Sequence, residues 1–133
     1  MMQNQEKDCL SDYTEPRFNG YVGMPAALHL DEYARYLRHA FDSKVYLVGS
    51  SLYTKEWNDL DVRVILSDDR FKAMGFGDPE TRFRNKKWIS LCLAYSCLGE
   101  KMIGHTIDFQ ITQQSHDDIH CKGRREPIGL DLK

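Results

Sequence analysis

After Pro25, apolar positions Leu30, Tyr33, Leu37, Ala40 and Phe41 recur at intervals of three and four. That spacing places side chains on one face of a helix. Asp31 and Glu32 come early in this stretch and Arg35, Arg38 and His39 late, the order a helix dipole favours. The pattern predicts a helix from about Pro25 or Asp31 to Phe41. Lys44 to Val48 is a short apolar run rich in β-branched and aromatic residues, and reads as a strand. Ser50 to Asn58 is polar and leaves room for no more than a helical turn. Asp59 to Leu66 predicts a second strand, ended by Ser67-Asp68-Asp69. Residues 70–79 carry Gly75, Gly77 and Pro79, a loop signal. From Glu80 to about Met102 the stripe Trp88, Leu91, Cys92, Tyr95, Leu98 and Met102 predicts the longest helix. Thr106 to Thr112 predicts a third strand.

The two later strands alternate. Leu60, Val62, Val64 and Leu66 point one way, and Asp59, Asp61, Arg63 and Ile65 the other. Ile107, Phe109 and Ile111 likewise oppose Thr106, Asp108, Gln110 and Thr112. Each strand thus has an apolar face for helices and a second face bearing carboxylates. The expected class is α/β (α+β), a small mixed sheet with helices packed on one face. Residues 1–24 read as a polar arm that Tyr13, Phe18, Tyr21 and Met24 can anchor. Residues 25–133 read as one domain, with an unassigned polar tail from about 113.

Composition narrows the picture modestly. A chain of 133 residues, 41% hydrophobic, has enough apolar material for one packed core. A formal net charge of -2 gives no global case for nucleic-acid binding, so any electrostatic site is a local patch. No apolar run approaches a membrane span, and the polar N-terminus lacks the apolar centre of a signal peptide. A cytoplasmic protein without membrane association is the expectation. Cys9, Cys92, Cys97 and Cys121 show no CxxC pair and are expected as free thiols.

The candidate chemistry lies on the carboxylate faces. Asp59 and Asp61, two apart on a strand, project to the same side. Their repulsion would raise one pKa unless something neutralises them. Mg²⁺ suits hard carboxylate oxygens and takes much of its remaining shell from water and substrate phosphates. Asp108 on a neighbouring strand would let the site hold two ions, which stabilise both attacking and leaving oxygens of a phosphoryl displacement. Gly49 follows an apolar strand and allows close backbone approach. Ser50 and Ser51 add hydroxyls, in a turn suited to phosphate.

The succession Gly49-Ser50, Asp59-Leu60-Asp61-Val62 and Ile107-Asp108-Phe109 resembles the nucleotidyltransferase superfamily of DNA polymerase β and the minimal nucleotidyltransferases. The likeness covers about residues 45–112. It implies that Gly49-Ser50 hold the donor phosphates, that Asp59 and Asp61 bind both metal ions, and that Asp108 helps activate an acceptor hydroxyl. The ions expected are Mg²⁺, two of them, or Mn²⁺. The resemblance implies transfer of a nucleoside monophosphate from a nucleoside triphosphate to a protein, RNA or small-molecule hydroxyl. It also implies a helical partner protein or a homo-oligomer, since small members often pair with a helical protein. The spacer between Ser50 and Asp59 is short for that family, and Ser51-Leu52-Tyr53 stands where many members carry a further glycine.

Other residues carry weaker signals. Arg63 shares the carboxylate face, either paired with Asp61 or Asp108 or holding a phosphate bidentately. Arg82, Arg84, Lys86 and Lys87 read as a solvated basic face opening the long helix, or as a patch for a nucleic acid or triphosphate. Lys122, Arg124 and Arg125 form a similar patch. His116, His120 and Cys121 have zinc-like spacing without an evident fourth ligand, and Asp117 and Asp118 read as surface. Trp57 is expected against a base or the sheet edge. Rival readings are a non-catalytic nucleotide- or partner-binding module of the same fold, and a nucleic-acid binder using the basic patches.

Overall fold

The computed structural model describes residues 20–130. Helix α1 spans Ala26–Phe41 and buries Leu30, Tyr33, Ala34, Leu37 and Phe41. It ends at Asp42, in the left-handed region (φ 48). Strand β1 (Val45–Val48) runs into a 3₁₀ turn at Ser50–Leu52. Strand β2 spans Leu60–Leu66. Three segments follow before the next strand: α2 (Asp68–Ala73), a 3₁₀ segment (Pro79–Arg84) and α3 (Lys86–Ile103). Strand β3 (Ile107–Gln113), α4 (Gln114–His120) and β4 (Glu126–Ile128) complete the described chain.

The sheet order is β3-β2-β1-β4. β1 is antiparallel to both β2 and β4, and β2 is parallel to β3. The sheet is therefore mixed, as expected. Parallel neighbours need a long crossover, and the stretch from α2 through α3 supplies it. Leu60, Val62 and Val64 join Ile107, Phe109 and Ile111 in the core with the buried residues of α1 and α3. Burying one such side chain contributes roughly 2 kcal/mol. The two long helices lock together where Tyr33 Oη donates to the Tyr95 carbonyl at 2.8 Å. A Cβ at Gly99 would lie 2.8 Å from the Tyr33 ring, so α3 needs glycine there for its close approach. Trp88 Nε1 donates to the Ile111 carbonyl at 2.8 Å and pins α3 to β3. On the opposite, polar face of the sheet, α4 brings Asp117 to Arg63 of β2.

Some boundaries differ from expectation. The loop expected from residue 70 begins as helix α2, because Ser67 caps the Arg70 N–H and Asp68 and Asp69 occupy the first turn. The long helix starts at Lys86, not Glu80, because the Asn85 side chain accepts from the Trp88 N–H and sets the N-terminus there. Arg82 consequently lies on the 3₁₀ segment and is buried, not solvated. Its guanidinium stacks 4.5 Å from the Phe83 ring centroid and donates to the Pro79 carbonyl. The tail holds α4 and β4; β4 is short and contains Pro127, so it carries little strand signal by itself. Of the arm, Tyr13 and Phe18 lie outside the described residues. The Tyr21 N–H donates to the Ser51 carbonyl at 2.8 Å and Val22 is buried, whereas Met24 is exposed and anchors nothing. No helix among the described residues is long and apolar enough to cross a membrane.

Candidate functional site

The parallel register of β2 and β3 sets Asp61 opposite Asp108. The antiparallel register of β1 and β2 sets Val48 opposite Asp61, so the next residue, Gly49, also stands beside that carboxylate. Asp59 immediately precedes β2 and is half-buried. All three aspartates therefore meet at one end of the sheet. The chemistry registers this. The Asp61 carboxyl is pushed up from 3.8 to about 6, first by burial, then by the charges of Asp59 and Asp108 and a hydrogen bond with the Asp108 carboxyl. Arg63 opposes the shift. Two carboxylates can share a hydrogen bond only if a proton sits between them. A bound cation would serve the same end.

Gly49 has φ 85, where side chains are strained, and a Cβ there would fall 2.1 Å from Asp61 Oδ2. The turn packs directly on the carboxylate. Of the two serines, Ser50 is exposed and Ser51 is fully buried, its Oγ without a hydrogen-bond partner among the described residues. Ser51 contributes its carbonyl, which accepts from Tyr21. The Ser50 carbonyl accepts the N–H groups of Tyr53 and Thr54 and closes the turn.

Arg63 does not pair with Asp61 or Asp108. It lies 3.1 Å from Asp117, a carboxylate with no exposed surface that also receives Arg125 at 2.9 Å. Asp117 is thus no surface residue. Two guanidiniums hold it, because a buried carboxylate is stable only when paired and hydrogen-bonded.

Two hollows flank the aspartates. One, of about 410 Å³, lies between Gly49, Tyr53, Asp61, Arg63, Gly123 and Arg124. The other, of about 230 Å³, opens between Asp108 and the apolar side chains of Phe83, Trp88, Ile89 and Leu93. Sequence patterning singled out neither Tyr53 nor Gly123, and placed Arg124 only in a basic patch. Trp57 packs at the sheet end, its Nε1 donating to the Tyr21 carbonyl at 3.2 Å and its ring 5.0 Å from His105.

Glu80, His116 and His120 form a separate group whose ligand atoms all lie within 4.8 Å of one another. The fold alone supplies Glu80. Arg82 Nη1 stands 3.4 Å from His116 Nε2, a fixed positive charge against any cation there. Burial and then the Arg82 charge push the His116 imidazole downward. Cys121 is half-buried, and burial with a hydrogen bond to Asp117 pushes its thiol up, so it is a poor thiolate ligand.

Comparison of the chain with protein-family models, curated proteins and solved structures finds no match.

Proposed function

We propose that the chain is a divalent-metal-dependent nucleotidyltransferase. The observation that carries this reading is the convergence of Asp59, Asp61 and Asp108 from two adjoining strands beside the Gly49-Ser50 turn. Three hard carboxylates, one of them pushed up to about 6 first by burial and then by its neighbours' charges, fit Mg²⁺ or Mn²⁺ as counter-charge. Asp59, Asp61 and Asp108 would hold the ions, which when bound supply charge neutralisation and Lewis acidity at the phosphates.

The chain's own groups account for the rest. Backbone at Gly49 and the Ser50 hydroxyl receive the donor phosphates, with Gly49 keeping them within reach of Asp61. Asp108 is exposed and borders the apolar groove, so it accepts the hydrogen of an acceptor hydroxyl arriving from that side. The acceptor oxygen bonds to the α-phosphorus, the bond from that phosphorus to the bridging oxygen breaks, and pyrophosphate leaves. The acceptor is a protein, RNA or small-molecule hydroxyl, and the protein is read as cytoplasmic, working with a helical partner or a second copy.

The test is incubation with each α-labelled nucleoside triphosphate, Mg²⁺ and a cell extract, for wild type and Asp61→Asn. Transfer of label by wild type and its loss in a folded Asp61→Asn protein are expected. Equal labelling by the two proteins would sink the assignment. Metal-dependent binding without any labelling would leave a nucleotide-binding module.

A further inference from the structure

We infer that Arg124 forms the subsite for the terminal phosphates of the donor, so that the segment joining α4 to β4 selects triphosphates. The inference rests on the nucleotidyltransferase reading and assigns its donor side.

The first support is register. β1 and β4 pair with Leu47 opposite Glu126. Continued two residues further, the antiparallel register sets Arg124 opposite Gly49. The two line the same cavity, together with Asp61 and Arg63.

The second support is the state of each cation. Arg63 and Arg125 are both committed to Asp117, which is fully buried. Withdrawing either would weaken the pairing of a buried charge, which is costly. Arg124 differs. It pairs with Glu126 at 2.9 Å, and both side chains are partly exposed, at 34% and 21%. An ion pair in water's reach is worth little and exchanges readily. A phosphate dianion can displace Glu126 and take both arms of the guanidinium fork.

The third support is anchorage. The Arg124 N–H donates to Tyr53 Oη at 2.8 Å. Tyr53 caps the Ser50–Leu52 turn, its own N–H donating to the Ser50 carbonyl at 2.9 Å. The arginine backbone is thus tied to the turn that receives the donor phosphates, while its side chain stays exchangeable. Arg124 thereby adds an exchangeable cation to the hollow that Asp61 also lines.

The test uses the full chain with Mg²⁺ and inorganic tripolyphosphate, a probe without a base, by calorimetry. Orthophosphate and α,β-methylene-ATP are run alongside. Wild type is expected to bind tripolyphosphate and the nucleotide analogue. Arg124→Ala should weaken both about tenfold or more and Arg124→Lys by less, and orthophosphate, a single phosphate, should bind wild type more weakly than tripolyphosphate. Lys122→Ala is the control for net charge and should leave all affinities as they are. Melting without ligand confirms that each variant folds. Wild-type affinity in a folded Arg124→Ala, or an equal loss in Lys122→Ala, would overturn the subsite and leave the nucleotidyltransferase reading standing. A wild type that binds neither tripolyphosphate nor the analogue, while Mg²⁺ is present, takes both down.

Discussion

The hollow beside Asp61 and the groove beside Asp108 are built on adjacent strands yet differ in kind. The Asp61 hollow is walled by β1, its turn and the segment before β4, and carries Arg63 and Arg124. The Asp108 groove is walled by α3 and the 3₁₀ segment, and its rim is apolar: Phe83 is 57% exposed and Leu93 61%. One shared carboxylate pair therefore faces a cationic wall on one side and an aromatic wall on the other. On the nucleotidyltransferase reading, charge complementarity assigns a polyanion to the first, and the second offers an uncharged acceptor a desolvating surface. The lesson is that site polarity comes from what packs beyond the strands, since the strand faces themselves are similar.

Asp108→Asn should break the comparison most sharply. On the nucleotidyltransferase reading it lowers transfer by on the order of a thousandfold, while calorimetry shows tripolyphosphate binding close to wild type. Equal loss of both would mean that the two sides are not separable.

Gly49→Ala forces a side chain into the left-handed region and against Asp61 Oδ2. A loss of about 2 kcal/mol in urea unfolding is expected. Unchanged stability would show that the turn does not pack on the carboxylate.

A smaller effect concerns pH in metal-free protein. The folded Asp61 carboxyl titrates near 6, above its ordinary 3.8. Between these values the folded state holds a proton that the unfolded state has released, so stability falls as pH rises and the loss is complete above about 6. Asp61→Asn should remove this slope and leave the variant more stable than wild type at pH 7, by on the order of 1 kcal/mol after solvent screening. Denaturant midpoints at pH 4 and pH 7 measure it, and an unchanged slope would contradict the carboxylate clustering.

Leu93→Ser should give the smallest change. Stability should stay within about 0.5 kcal/mol, since the side chain is exposed. Label transfer should drop several-fold without loss of tripolyphosphate affinity. A loss of affinity instead would place the donor in the aromatic groove.

Much of the scaffold was legible in the chain. The periods of α1, β2 and β3 survive folding nearly unchanged, because each sets its own apolar face with a local repeat. Helix α2 was hidden behind the glycines at 75 and 77, although Ser67 and its following aspartates were a capping signal. The start of α3 was misplaced because Arg82 and Arg84 suit a helix as well as a 3₁₀ turn; Asn85 decides. Arg63 was expected to pair with Asp61 or Asp108 or to hold a phosphate, and nothing local could say that Asp117 would be buried and claim it.

The sequence by itself determined which side of each strand carries acid and which carries hydrocarbon, since alternation is a property of neighbouring residues. Only the tertiary structure decided that Asp61 lies opposite Asp108, that Arg63 serves Asp117, and that Arg124 comes round to Gly49. Those meetings join distant parts of the chain. They depend on strand register and helix packing, which the whole core selects together and no short stretch encodes.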